Sequence, residues 1–220
     1  AIVGGPDDNG NIGAAWVYTR SGGVWNQQGS KLVGTGAVGM AVQGYSVSLS
    51  ADGNTALLGG AGDNGNQFSW QGAAWVFVRS EGVWTQQGGK LVGTGAVGLA
   101  GQGASVSLSA DGNTAIVGGA LDNGVQFAGQ GAAWVYTRSG GVWTQQGSKL
   151  VGTGAVGNAQ QGISVSLSGD GNTAIVGGYQ DNSSQGAAWV YTRSSGVWTQ
   201  LGNKLVGTGV IGNAVQGCSA

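Results

Sequence analysis

Polar and apolar residues alternate strictly along Ser46-Val47-Ser48-Leu49-Ser50, the two-residue period of a β-strand. Ala51-Asp52-Gly53-Asn54 follows, and its Asp-Gly and Gly-Asn steps supply the positive φ that a tight hairpin needs. Thr55 to Leu58 then reads as a second strand, stopped by Gly59-Gly60. From Gly72 to Arg79 a third strand puts Trp75, Phe77 and Arg79 on one face and Ala74, Val76 and Val78 on the other. Ser80-Glu81-Gly82 turns the chain into a fourth strand, Val83 to Gln87. A Gly-rich crossing from Lys90 to Gln102 leads to the next such group.

The pattern recurs. Trp16, Trp75, Trp134 and Trp189 of the AAWV motif stand 59, 59 and 55 residues apart. The same steps separate Trp25, Trp84, Trp143 and Trp198, and also Lys31, Lys90, Lys149 and Lys204 of KLVGTG. Length varies only after the Gly doublet, where Gln67-Phe68-Ser69-Trp70 and Gln126-Phe127-Ala128-Gly129 read as insertions in a surface loop. Tandem four-stranded antiparallel units are the sequence signature of β-propeller blades. The expected fold is all-β: four four-stranded blades of about 55–59 residues, the last incomplete, in a single repeat domain. Its units span roughly 1–55, 56–114, 115–173 and 174–220. Part of a larger propeller or array is the alternative. A parallel β-helix ranks lower because its coils are shorter and need no hairpin in every repeat. A transmembrane barrel, whose strands also alternate, ranks lower still.

Blades stacked face to face bury both faces of an inner sheet. Trp16, Trp75, Trp134 and Trp189 are therefore expected in the core, each against a small residue of the next blade. Trp25, Trp84, Trp143 and Trp198 follow a turn and are expected to be partly exposed. Trp70 is the one Trp outside the repeat. These five are the candidate ligand-binding residues, because exposed indoles stack on sugars.

Composition narrows the chemistry. Charged residues make up 8 % of the chain against a typical share of about 25 %. Gly occurs 49 times among 220 residues, too often for a helical protein. A net charge of −1 gives no basic footprint for nucleic acid. No apolar run approaches the length of a membrane helix. His is absent, so the commonest general base is missing. Glu81 is the one Glu and sits in a turn, while Asp8, Asp63, Asp122 and Asp181 recur once per unit before Asn, a turn signal. The adjacent Asp7 and Asp8 read as a solvated loop, and Arg20, Arg79, Arg138 and Arg193 as structural partners of turn carbonyls or of an Asp. No catalytic residue is expected. Cys218 has no partner for an internal disulfide. Asn182-Ser183-Ser184 matches a glycosylation acceptor, relevant in a eukaryotic secretory setting.

The strings SVSLSADGNTAIVGG and GAAWVYTRSGGVWTQQGSKL resemble the FG-GAP repeats of integrin α-subunit propellers and bacterial surface proteins, over essentially the whole chain. A looser similarity links them to kelch repeats. The FG-GAP resemblance implies a non-catalytic extracellular or cell-surface module with a structural or adhesive role. It also implies a calcium-binding first hairpin, whose ligand positions fall on Ser48, Ser50, Asp52 and Ala56; on Ser107, Ser109, Asp111 and Ala115; and on Ser166, Ser168, Asp170 and Ala174. One carboxylate per loop is too few for a cation that wants six to eight oxygens, so a metal-free hairpin is expected and no cofactor. A carbohydrate-binding propeller is the rival reading. A glycan or a cell-surface protein is the expected outside partner, with no nucleic acid and no membrane insertion.

The chain opens on a second strand at Ala1 to Gly5, with no hairpin partner for it. It closes at Gly217 to Ala220, where a first strand would begin. An unpaired strand edge invites pairing. Contacts with other copies of the chain, or with adjoining repeats, are expected there, as an oligomer or a filament.

Overall fold

In the computed structural model the described residues are 1–65, 70–125 and 128–220. Gln67, Phe68, Ser69, Gln126 and Phe127, part of the two expected insertions, lie outside them. Among the described residues the chain builds four antiparallel sheets of three or four strands in sequence order, and one two-stranded sheet. The first holds β1 (Ile2–Gly5), β2 (Ala14–Ser21) and β3 (Val24–Gln27). The second holds β4 (Ser46–Leu49), β5 (Thr55–Gly60), β6 (Ala73–Ser80) and β7 (Val83–Gln86). The third consists of β8 (Ser105–Leu108), β9 (Thr114–Gly119), β12 (Ala132–Ser139) and β13 (Val142–Gln145). A small hairpin of β10 (Gly124–Val125) and β11 (Ala128–Gly129) leaves it midway. The fourth is β14 (Ser164–Leu167), β15 (Thr173–Gly178), β16 (Ala187–Ser194) and β17 (Val197–Gln200).

In each complete sheet the strands lie in chain order, and the first strand is innermost. β1 packs on β4, β4 on β8 and β8 on β14, so the sheets follow one another around a common side in a propeller-like arrangement. The expected units need one adjustment. A boundary at 55/56 cuts the β4–β5 hairpin, because a sheet takes its first strand from the end of one unit and the other three from the next. Counted as sheets, the incomplete one is therefore the first and not the last. Residues 201–220 form a crossing beyond the four-stranded fourth sheet.

The Gly doublet does not stop the second strand. Gly59 pairs with Ala74, and Gly60 with Ala73. Its purpose is close approach: a Cβ on Gly59 would come within 2.2 Å of the Gly103 carbonyl oxygen, and one on Gly60 within 2.7 Å of the Trp75 ring. With both positions bare, neighbouring sheets close onto each other and Trp75, Trp134 and Trp189 are fully buried. Trp16 carries the same motif but is only partly buried, because no sheet stands in front of it. The expectation of a core position fails at this one copy.

Candidate functional site

Two sets of residues compete for a functional role, and the structure separates them. The first set builds the junctions between sheets. In each, the Trp of one sheet reaches back into the crossing of the sheet before it. Trp75 Nε1 donates to the Thr35 carbonyl at 2.9 Å, Trp134 to Thr94 at 2.9 Å and Trp189 to Thr153 at 2.8 Å. Beneath each indole lies a Gly, namely Gly34, Gly93 or Gly152, where a Cβ would sit 2.1 Å from the indole Cδ1. That Gly is held by a buried amide. Gln43 Oε1 accepts the Gly34 N–H at 2.5 Å, and its Nε2 donates to the Gly34 carbonyl at 2.9 Å. Gln102 and Gln161 clamp Gly93 and Gly152 in the same way.

The repeated Asp–Lys pairs belong to this set. Asp63 is buried; its carboxylate accepts the Val38 N–H at 2.8 Å and the Lys90 ammonium at 2.5 Å. Asp122 and Asp181 do the same with Val97 and Lys149 and with Val156 and Lys204. Asp8 pairs with Lys31. The Arg79 backbone N–H donates to the Asn54 turn carbonyl at 2.8 Å, but among the described residues its side chain bonds neither an Asp nor a turn carbonyl. Its Nε donates to Asn54 Oδ1 at 3.0 Å, and one terminal nitrogen donates to Gln28 Oε1 at 2.8 Å in the preceding unit. Asn offers the same acceptor geometry without burying a second charge.

Trp84, Trp143 and Trp198 also belong to the junctions. Each lies beneath an Arg guanidinium, 5.6, 5.4 and 5.4 Å from the ring centroid. Their indole N–H groups donate to Gln28, Gln87 and Gln146. One ring face is thus covered by the Arg paired with it in the same sheet, and the polar edge reaches the preceding unit. Trp25, in the first sheet, is 54 % exposed. The structure does not bring this series together with Trp70.

The hairpins use their carboxylates internally. Asp52 accepts from the Ser50 hydroxyl at 2.5 Å, the Asn54 N–H at 2.9 Å and the Asn54 amide at 3.0 Å. Ser50 first, then Asn54, holds the Asp52 carboxyl below the usual carboxylate range. These contacts order the turn and aim Asn54 at Arg79.

The second set lines a half-open cavity of about 590 Å³ on the inner side of the array. Trp70 reaches it from its loop, where its carbonyl accepts the Gly101 N–H at 2.8 Å. Tyr45, Ala104 and Ile163 line it from the starts of the innermost strands, and Val42, Gly101 and Gln160 from the preceding bends. Met40 and Leu121 add apolar wall, while Asp7 and Asn11 add polar rim. Val42 and Gln160 hold φ of +51° and +55°, and Gly101 +60°. For a β-branched residue such as Val42 this is strained backbone.

Copy-by-copy comparison sets the cavity apart. At the junctions Trp, Gly, Gln, Asp and Lys repeat almost without change. At the cavity the equivalent positions differ: Tyr45, Ala104 and Ile163; Val42, Gly101 and Gln160; Gly62 and Leu121. Reading one copy at a time hides this signal, and only the aligned copies reveal it. The clamp residues Gln43, Gln102 and Gln161 were equally hidden, because Gln in a Gly-rich crossing reads as solvated.

The geometry thus defines an all-β, propeller-like repeat scaffold with a cavity on its inner side. No protein-family model matches the sequence, and no curated protein matches it. Among solved structures, the crystal structure of the Saccharomyces cerevisiae Sqt1 is similar to it over 71 % of this chain and 33 % of that chain, with 16 % identity and a TM-score of 0.43. The chain spans about a third of that structure's length, and a likeness this distant carries no argument about function.

Proposed function

We propose that this chain is a non-catalytic extracellular repeat module of the FG-GAP kind, structural or adhesive in role, whose contact site is the inner cavity. It forms an arc of four blades. One observation carries the reading: repeated residues are consumed by the junctions, and the positions that differ between copies converge on the cavity. Equivalent positions with different side chains make an asymmetric surface, which a specific ligand needs and a scaffold does not. The wall is mostly apolar, with Trp70, Tyr45, Met40, Leu121 and Ile163, so an apolar or aromatic side chain of a cell-surface protein suits it best.

A second reading rests on the same place. Trp70 and Tyr45 beside Asp7, Asn11 and Gln160 combine aromatic platforms with hydrogen-bonding groups, the chemistry of a glycan site. Adhesion of cells to the immobilised chain, run beside a glycan array, separates the two. Trp70→Ala and Ile163→Asp should abolish whichever binding is found. Binding that survives both substitutions removes the cavity from the function.

A further inference from the structure

We propose that Met40 is a modification site on the cavity wall, where a peroxide converts its thioether to the sulfoxide and so weakens the hold of the cavity on an apolar ligand. The oxidation stands on its own observations, and its effect on a ligand rests on the cavity reading above.

Met40 is the one Met of the chain. It lines the cavity beside Val42 and Asn11 and is 53 % exposed, so solvent and a small oxidant reach it. Openness belongs to the position. Asn158, its counterpart between the third and fourth sheets, is exposed as well, and Leu99, between the second and third, is half-buried. The thioether already has a donor in reach, since Asn11 Nδ2 donates to Met40 Sδ at 3.6 Å. Thioether sulfur is a weak acceptor. A sulfoxide oxygen is a strong one, so the same amide holds the oxidised side chain better than the reduced one.

The step needs no group from the protein. Hydrogen peroxide gives one oxygen atom to Sδ. The O–O bond breaks and an S–O bond forms; sulfur loses two electrons, and the peroxide, reduced by two, leaves as water. A flexible apolar side chain becomes a polar, chiral one.

The other copies show that the fold accepts such a change. Asn158 and Asn213 put a polar side chain at this place. The Ala that follows is fully buried alike at Ala41, Ala100 and Ala159. The backbone of Met40 is also fixed by close packing, because a Cβ on Gly62 would come within 2.3 Å of the Met40 carbonyl oxygen. Oxidation therefore alters the cavity wall and leaves the junction beneath it intact. An apolar ligand seated against Tyr45, Leu121 and Ile163 would then have to desolvate a polar S–O group.

Peroxide treatment of the intact chain tests this, followed by mass spectrometry, NMR and titration with Nile red, a neutral apolar dye. Met40 should take up one oxygen as fast as free methionine does, with no change in melting temperature. The Asn11 side-chain amide protons should move downfield as the sulfoxide oxygen replaces sulfur as acceptor. Nile red should bind about tenfold more weakly after oxidation. Met40→Leu, which copies Leu99, should bind the dye equally with and without peroxide, although Cys218 and the Trp residues remain oxidisable. A Met40 that resists peroxide overturns the proposal, as does an Asn11 signal that stays in place. Dye that enters the cavity yet binds unchanged after complete oxidation also overturns it, and so does equal weakening in Met40→Leu. Failure of the cavity reading would show separately: dye binding to the untreated chain would survive Trp70→Ala and Ile163→Asp, and the Asn11 signal would then decide the oxidation alone.

Discussion

Trp134 and Trp16 occupy the same place in the same motif, yet one is fully buried and the other is not. The local strands match: Trp134 pairs with Val117 across β9 and β12, and Trp16 with Val3 across β1 and β2. What differs is the neighbouring sheet in front of the Trp, together with the innermost strand that the three-stranded first sheet lacks. Burial here is a property of the junction rather than of the motif, as expected for an array whose stability sums over units and nearest-neighbour contacts. Trp134→Ala should accordingly cost about 3–5 kcal/mol in chemical denaturation, the range for a large buried aromatic. Trp16→Ala should cost only about 1 kcal/mol. Equal costs would break the comparison.

The glycines beneath the indoles sharpen it from the other side. Gly93 and Gly207 share the KLVGTG motif and the Gln clamp. A Cβ on Gly93 would lie 2.1 Å from Trp134 Cδ1, whereas on Gly207 its nearest neighbour would be the end of the Gln216 side chain at 3.1 Å. Gly93→Ala should therefore destabilise the chain by roughly 1–3 kcal/mol, the cost of overpacking. Gly207→Ala should fall within about 0.5 kcal/mol of wild type. Thermal melts of the two variants decide, and a tolerated Gly93→Ala would mean the sheets can slide apart.

Much of this was legible in the sequence. Strict alternation in SVSLS, the Asp-Gly-Asn hairpins and the spacing of the two Trp series give the strands and their grouping, because they are local signals. What failed was relational. No motif states which neighbour a Trp meets, so Trp16 looked like Trp75. The Gly doublet looked like a strand end, since its reason lies in another sheet's backbone. Arg79 was expected on a carbonyl or an Asp and bonds Asn54 and Gln28, a partner 51 residues away. Of the candidate ligand-binding residues, Trp70 reaches the cavity, while Trp84, Trp143 and Trp198 serve the junctions.

Within the inner sheets, Phe77 and Tyr136 offer a smaller contrast. They are equivalent, both are buried, and both pair across to an Ala of the second strand. The Tyr136 hydroxyl has no hydrogen-bond partner among the described residues, and burial pushes its pKa well above the ordinary tyrosine value. The second sheet forms the same core without that hydroxyl. Tyr136→Phe should therefore leave stability unchanged or raise it by up to about 1 kcal/mol, since an unpaired buried polar group is costly. A loss larger than that would show that the hydroxyl is bonded after all.

The hairpins give the finest comparison and the smallest effect. They stack in file, with Ala51 N–H donating to the Ala110 carbonyl and Ala110 N–H to the Gly169 carbonyl. Thr55 and Thr114 are buried at these contacts, whereas Thr173 in the last hairpin is exposed. At Asp111 burial disfavours the ionised form. The Ser109 hydroxyl, the Asn113 N–H and amide and Arg138 outweigh it and hold the carboxyl below its ordinary value of 3.8. At Asp170 the Ser168 hydroxyl and then Asn172 lower it in solvent. A carboxyl depressed by folding stabilises the fold above its unfolded pKa, and that stability is lost as pH falls through the folded value. The melting temperature should thus hold down to about pH 4 and decline below it. Asp111→Asn should flatten that decline by on the order of a few tenths of a kcal/mol, after solvent screening. Asp170→Asn, with no following hairpin to press on it, should flatten it less. If Asp170→Asn has the larger effect in melts from pH 5 to pH 2, stacking does not strengthen the inner hairpin, and the contrast between inner and end positions stops at the Trp junctions.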